Sequence, residues 1–272
     1  MAIIKTKKQP NTLPGMRPNA GLAAMYQKKL DALVDAMQRS IIYWTRAAYN
    51  RRPPENLAAD EDYTGAPAVV MRRVMKRLAT KWQKQFDMAS VDLANYFSKA
   101  VADRSDRQLA SALRKEGISV RFQPTRAMND VIQAQVGQNV NLIKSIPEQH
   151  FTQIEGMVLR SVAAGRDIGN LTKELEKQFG VTKRRAALIA HTQNNLATAT
   201  MQRTRYIELG INEAIWCHSH AGAKPRPSHV KAGAEKLRYN VDKGALIDDE
   251  YILPGQLINC RCFAKPIIPG FE

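Results

Sequence analysis

Cysteine is scarce in this chain: three residues among 272. An odd, low count argues against a secreted disulfide framework and for a reducing compartment. Long apolar runs are missing too. None approaches the roughly 18 residues needed to span a bilayer, so no membrane partner is expected. The stretch "MAIIKTKKQPNTLPGMRPNAG" lacks the apolar core of a signal peptide. It reads as a basic, flexible arm over residues 1–20, ordered only on a partner. Catalytic signatures are also missing: there is no G-x-S-x-G, no Walker A and no H-E-x-x-H. An enzyme is therefore not expected.

Carboxylates are outnumbered. Lys plus Arg is 41, Asp plus Glu is 25, and the net charge is +16. The surplus is uneven: residues 1–148 hold 24 basic and 13 acidic side chains, and residues 149–272 hold 17 and 12. A basic excess of this size favours a polyanionic partner. No base-reading module is visible, so contact with double-stranded DNA is expected to be sequence-independent.

What is present is mostly helical pattern. The expected fold class is mainly α, with a long helical N-terminal half followed by a smaller α+β C-terminal unit. Leu22, Met25, Tyr26, Leu30, Leu33, Val34, Met37, Ile41 and Trp44 recur in steps of three and four, which predicts a helix over 20–50. Prolines, acids and a glycine break it over 51–67. A second helix is predicted over 68–103 and a short one over 105–115. Ile118, Val120 and Phe122 alternate with polar residues, which predicts a short strand within 116–125. Further helices are expected up to Pro147, over 147–165, over 170–180 and over 182–210. Gly165, Gly180 and Gly210 are read as stops and Thr182 as an N-cap. After Gly210 the texture turns to Gly, Pro and short apolar runs. It predicts a small β unit with strands near 213–217, 251–253 and 261–267.

Two of the three cysteines stand together in "LINCRC". On a strand, residues i and i+2 face the same way, so Cys260 and Cys262 present two thiols to one place. A disulfide between them closes a very small, strained ring. Metal ligation and simple packing both remain open. Cys217 or His220, with His229, Cys260 and Cys262, makes a four-ligand zinc set. C-x-C with scattered histidines is not the usual pair spacing of structural zinc sites. Buried thiols also pack as small hydrophobes, and His229 then holds loop backbone. His218, His220 and His229 are the residues a metal-dependent nuclease or toxin-like hydrolase would use. Asp248, Asp249 and Glu250 read as a solvated acidic loop.

The segment "MRRVMKRLATKWQK" (71–84) holds Arg72, Arg73, Lys76, Arg77, Lys81 and Lys84 and no acid. At helical spacing these fill one broad face, and Met71, Val74, Met75, Leu78 and Trp82 fill the other. The basic face suits a phosphate backbone or an acidic protein surface.

Three stretches in order carry a resemblance: "RRAALIAHTQNNLATATMQRTRYIELGINEAIW" (184–216), "RPSHVKAGAE" (226–235) and "LPGQLINCRC" (253–262). Together they resemble the phage Mu F-like minor head proteins, the SPP1-type phage head morphogenesis family, over about residues 139–267. His229, Gly233, Pro254, Gly255, Asn259, Cys260, Arg261 and Cys262 match the family's pattern. Ile189-Ala190-His191-Thr192-Gln193 stands where the family often has I-A-R-T-E, so the carboxylate is missing. The resemblance implies a minor capsid protein of a tailed bacteriophage. Such a protein sits at the portal and inner capsid, and serves head assembly and DNA packaging or ejection. It implies a portal protein, a major capsid or scaffold protein and double-stranded DNA as partners. It also implies a place in the virion after assembly in the host cytoplasm. Some relatives carry Cys where His229 stands, an exchange a metal site permits. The expected organisation is a basic arm (1–20), a helical assembly and portal-contact region (21–138) and a Mu F-like domain (139–272). Within that domain, helices cover 139–210 and the β unit covers 211–268.

Overall fold

In a computed structural model of the chain, residues 12–51, 67–165, 168–222 and 224–269 are described. Among them are four long helices: α1 (Ala20–Arg51), α2 (Pro67–Lys115), α3 (Arg126–Ala163) and α4 (Ile168–Glu208). A short helix and five short strands follow: β1 (Glu213–Cys217), α5 (Pro227–Ala234), β2 (Arg238–Asn240), β3 (Ala245–Ile247), β4 (Glu250–Ile252) and β5 (Phe263–Ile267). The mainly α class and the smaller sheet-bearing C-terminal region are as expected. No helix among the described residues is long and apolar enough to cross a membrane.

Several helices run on where the sequence pattern predicts a break. Residues 68–103 and 105–115 form one helix, α2, because Ser105, Leu109 and Leu113 keep its buried stripe in register. Pro147 lies inside α3. It removes one helical hydrogen bond, but Ile146, His150, Phe151 and Ile154 are buried around it and hold the helix together. Gly180 lies inside α4, and Thr182 is no N-cap: its hydroxyl donates back to Gln178 O at 3.1 Å. The stop at Gly210 is real. Its φ is +70°, and Ile211 N donates five residues back to Tyr206 O at 2.8 Å, the glycine-terminated helix end.

The chain forms two compact units, each discontinuous in sequence. One comprises Met25–Asn95 and Gly137–Ala190, apart from the undescribed residues. Its core is built by Leu30, Val34, Met37 and Ile41 on α1, Met75, Leu78 and Phe86 on α2, Ile143, Ile154 and Val158 on α3, and Leu171 and Leu175 on α4. Polar ties cross this core. Tyr26 Oη donates to Asn139 Oδ1 at 2.9 Å, and Arg185 Nη2 donates to Ser145 Oγ at 2.8 Å.

The other unit comprises the described residues up to Ala24, Tyr96–Val136 and the chain from His191. Its sheet has the order β2-β1-β5, all antiparallel. Trp216↔Ala264 and Ala214↔Tyr239 set the register. β3 and β4 make a separate hairpin, with Asp248 and Asp249 at positive φ in its two-residue turn. Residues 118–122 are not a strand of any sheet. They run extended with Ile118, Val120 and Phe122 packed on the core, so the alternation marks a half-buried segment without a ladder. Arg205, almost fully buried, ties this region together by donating to Asp106, Glu208 and Gln123 O.

The expected arm over 1–20 is in part a fixed strap. Residues 1–11 lie outside the described residues. Thr12 bridges Ile267, Leu13 N donates to Pro266 O at 3.0 Å, and Met16 N donates to Ala264 O at 3.2 Å. Leu13 and Met16 are wholly buried, which fixes the strap along the free edge of β5. A Cβ at Gly15 would stand 2.2 Å from the Phe263 ring, so a larger residue there would force that ring to move.

Candidate functional site

The site grows out of β1. Alternation along this strand turns Ala214 and Trp216 into the core and leaves Glu213, Ile215 and Cys217 on the other face. Trp216, fully buried, packs edge-to-face with the His229 ring at 5.0 Å between centroids. His229 comes from α5, which opens with Pro227 in its first turn, where a missing N–H costs nothing. Four residues on, Gly233 lets the helix press onto the chain leaving β1: a Cβ there would lie 2.5 Å from His218 Cβ.

The third wall is the loop before β5. His229 Nδ1 lies 3.4 Å from Cys260 Sγ and 3.7 Å from Cys262 Sγ. All three residues are at most 4% exposed, and their ligand atoms lie within 4.8 Å of one another. No hydrogen-bond partner meets His229 Nε2, so the two sulphurs are the ring's polar neighbours. The thiols are strongly unequal. The Cys262 thiol, then the backbone N–H groups of Cys262 and Gly255, pull Cys260 well below the ordinary thiol range. Cys262 is pushed far up, first by its hydrogen bond to Cys260 and then by burial.

The loop is held from two sides. From α4, Thr192 Oγ1 accepts from Asn259 N at 3.2 Å, and Asn195 Nδ2 donates to Cys260 O at 2.7 Å. From the start of α5, Arg226 Nη2 donates to Ile258 O at 3.2 Å, while Ser228 Oγ ties α5 to the β3–β4 turn by donating to Asp248 Oδ2 at 2.7 Å. Asn259 sits at φ +59° and Gly255 at φ +93°, conformations that suit asparagine and glycine. The three sequence stretches singled out above thus meet on one loop.

The predicted set is assembled in part. His229, Cys260 and Cys262 come together. Cys217 does not join them, because strand alternation sends it to the opposite face, where burial raises its thiol. His220 is exposed at φ +56°, its N–H donating to His218 Nδ1 at 3.2 Å. His218 is half-buried and feels both Cys260 and His229 electrostatically. Asp248, Asp249 and Glu250 are exposed. Thr192, Asn195 and Arg226 were not singled out as site residues. The signal for the first two was "HTQNN", a run of short polar residues and poor helix formers in the middle of an otherwise amphipathic helix.

In the first unit, Arg72, Arg73, Lys76, Arg77, Lys81 and Lys84 are all exposed on α2, and Met71, Met75, Leu78 and Trp82 are buried beneath them. None of the six forms an ion pair among the described residues.

The family model described as Phage Mu protein F like protein matches residues 152–265. That segment resembles the Mu F-like family. The match contains the whole loop-centred site and all of α4. The Mu F-like family is one of phage head morphogenesis. A curated relative, an uncharacterized protein of Haemophilus influenzae, is 23% identical over 215 residues, covering 78% of this chain. The chain spans about half the length of that relative, 47%. No solved structure matches.

Proposed function

We propose that this protein is a minor capsid protein of a tailed bacteriophage, placed at the portal and inner capsid. It aids head assembly and DNA packaging or ejection by contacts with the portal, with major capsid or scaffold protein, and with DNA of any sequence. The Mu F-like segment supports the head assignment. The observation that carries the DNA contact is the α2 face: six exposed cations without a carboxylate partner among the described residues. Lys and Arg contacts to phosphate carry no sequence preference and exchange with counterions, so they hold DNA without stopping its movement.

Binding of the full chain to plasmid DNA across a salt series tests this. Replacing Arg73, Arg77, Lys81 and Lys84 with Gln removes up to four phosphate contacts, which flattens the log–log salt slope by up to about 3.6. An unchanged slope means that this face meets protein or solvent. The alternative, a metal-dependent nuclease or toxin-like hydrolase using His218, His220 and His229, is read in the same tubes with Mg²⁺, Mn²⁺ or Zn²⁺ added. Retardation without cleavage favours the head-protein reading, and cleavage favours the hydrolase.

A further inference from the structure

We propose that His229, Cys260 and Cys262 bind one Zn²⁺ ion, and that this ion clamps α5 onto the loop before β5. Bond lengths of about 2.3 Å to sulphur and about 2.05 Å to nitrogen at the tetrahedral angle require N···S separations of about 3.6 Å. The structure holds Nδ1 at 3.4 and 3.7 Å from the two sulphurs before any ion enters. The donors come from two separate elements, and each is positioned independently. Gly233 seats α5, Arg226 and Asn195 hold the loop backbone at Ile258 and Cys260, and Trp216 walls the imidazole.

The chemistry selects the ion. Two thiolates and an imidazole suit a soft or borderline d¹⁰ cation, and no carboxylate among the described residues joins the cluster to favour Mg²⁺ or Ca²⁺. Backbone N–H groups of Cys262 and Gly255 face the Cys260 sulphur and that of Ser219 faces Cys262, so each sulphur has a backbone donor beside it. Two buried thiolates side by side repel unless a cation lies between them. Binding therefore releases the thiol protons to solvent and leaves a neutral ZnS₂N centre. His218 packs close to α5 at Gly233 and its Nδ1 accepts from His220 N–H, but its ring nitrogens are not among the three clustered donors. The inference concerns the C-terminal unit alone and stands apart from the head-protein reading.

The test is metal analysis of the full chain purified without chelator, followed by Co²⁺ substitution. One Zn²⁺ per chain is expected, replaced by Co²⁺ with thiolate charge-transfer absorption and a tetrahedral ligand-field spectrum. Cys260→Ser and Cys262→Ser should each abolish the charge-transfer band of a two-thiolate site, whereas His229→Cys should retain metal and strengthen that band. A folded wild-type chain that is metal-free and takes up neither Zn²⁺ nor Co²⁺ with its thiols reduced would overturn the proposal. The wild-type spectrum reads out the site whether or not the variants fold.

Discussion

His150 shows what burial does to one residue. It is 1% exposed, its Nδ1 lies 2.8 Å from Thr182 Oγ1, and Nε2 has no partner. Thr182 spends its own proton on Gln178 O, so the Nδ1–H tautomer donates and a bare Nε2 faces the interior. Protonation would put an N–H there with no acceptor, and burial lowers the pKa to about 4. The sign follows. Between the ordinary value near 6.5 and about 4, the unfolded chain binds a proton that the folded chain refuses. The stability is complete above about pH 6.5 and is lost as pH falls towards 4, by about 3 kcal/mol in all. His150→Gln should show a shallower loss of melting temperature between pH 6.5 and 4.5. Parallel curves for wild type and variant would show that His150 does not carry the slope. At this scale the C-terminal site was half legible. Cys260, Cys262 and His229 stood out because sulphur and imidazole are rare here, but Cys217 was misplaced because only strand parity separates it from the cluster. Thr192, Asn195 and Arg226 act through backbone atoms of a distant loop, which no local pattern encodes.

At the scale of elements, glycine separates two cases that look alike in sequence. Gly180 lies within α4, and a Cβ there would meet the Arg184 guanidinium at an ordinary 3.6 Å. Gly210 ends the helix at φ +70°. Gly180→Ala is expected to stabilise by about 0.5–1 kcal/mol, because alanine loses less backbone freedom. Gly210→Ala is expected to destabilise by about 1–2 kcal/mol, because a Cβ clashes in the left-handed region. Denaturant melts of the two variants check both signs, and equal signs would contradict the assignment of the helix end. The same contrast explains why helices were legible and their breaks were not. Apolar periodicity reports the buried stripe directly, so α1 and the body of α2 follow from spacing. A Gly, a Pro or a Ser-Asp step reports only a local preference. Burial of Leu175 and Ala186 on either side of Gly180, and of Ile146 and His150 around Pro147, overrides it. The 118–122 alternation was read correctly as half-burial and wrongly as a sheet strand, since strand pairing depends on partners far away in sequence.

At the scale of the whole molecule, each unit is made from several separated stretches. A cut at 138/139 would fall inside α3 and remove parts of both units, so fragments on that boundary do not isolate a function. Assembly contacts are better mapped by surface substitutions in the full chain. The loop-centred site belongs to one unit and the basic α2 face to the other, so each can be altered without touching the other's core. The central claim is that this chain is built into phage heads. Mass spectrometry of purified heads from the phage that encodes it, with the portal protein as an internal count, tests this most directly. The account predicts a few copies per head, found with the portal in empty procapsids as well as in filled heads. Its absence from both, with the protein abundant in the same lysate, would contradict the account.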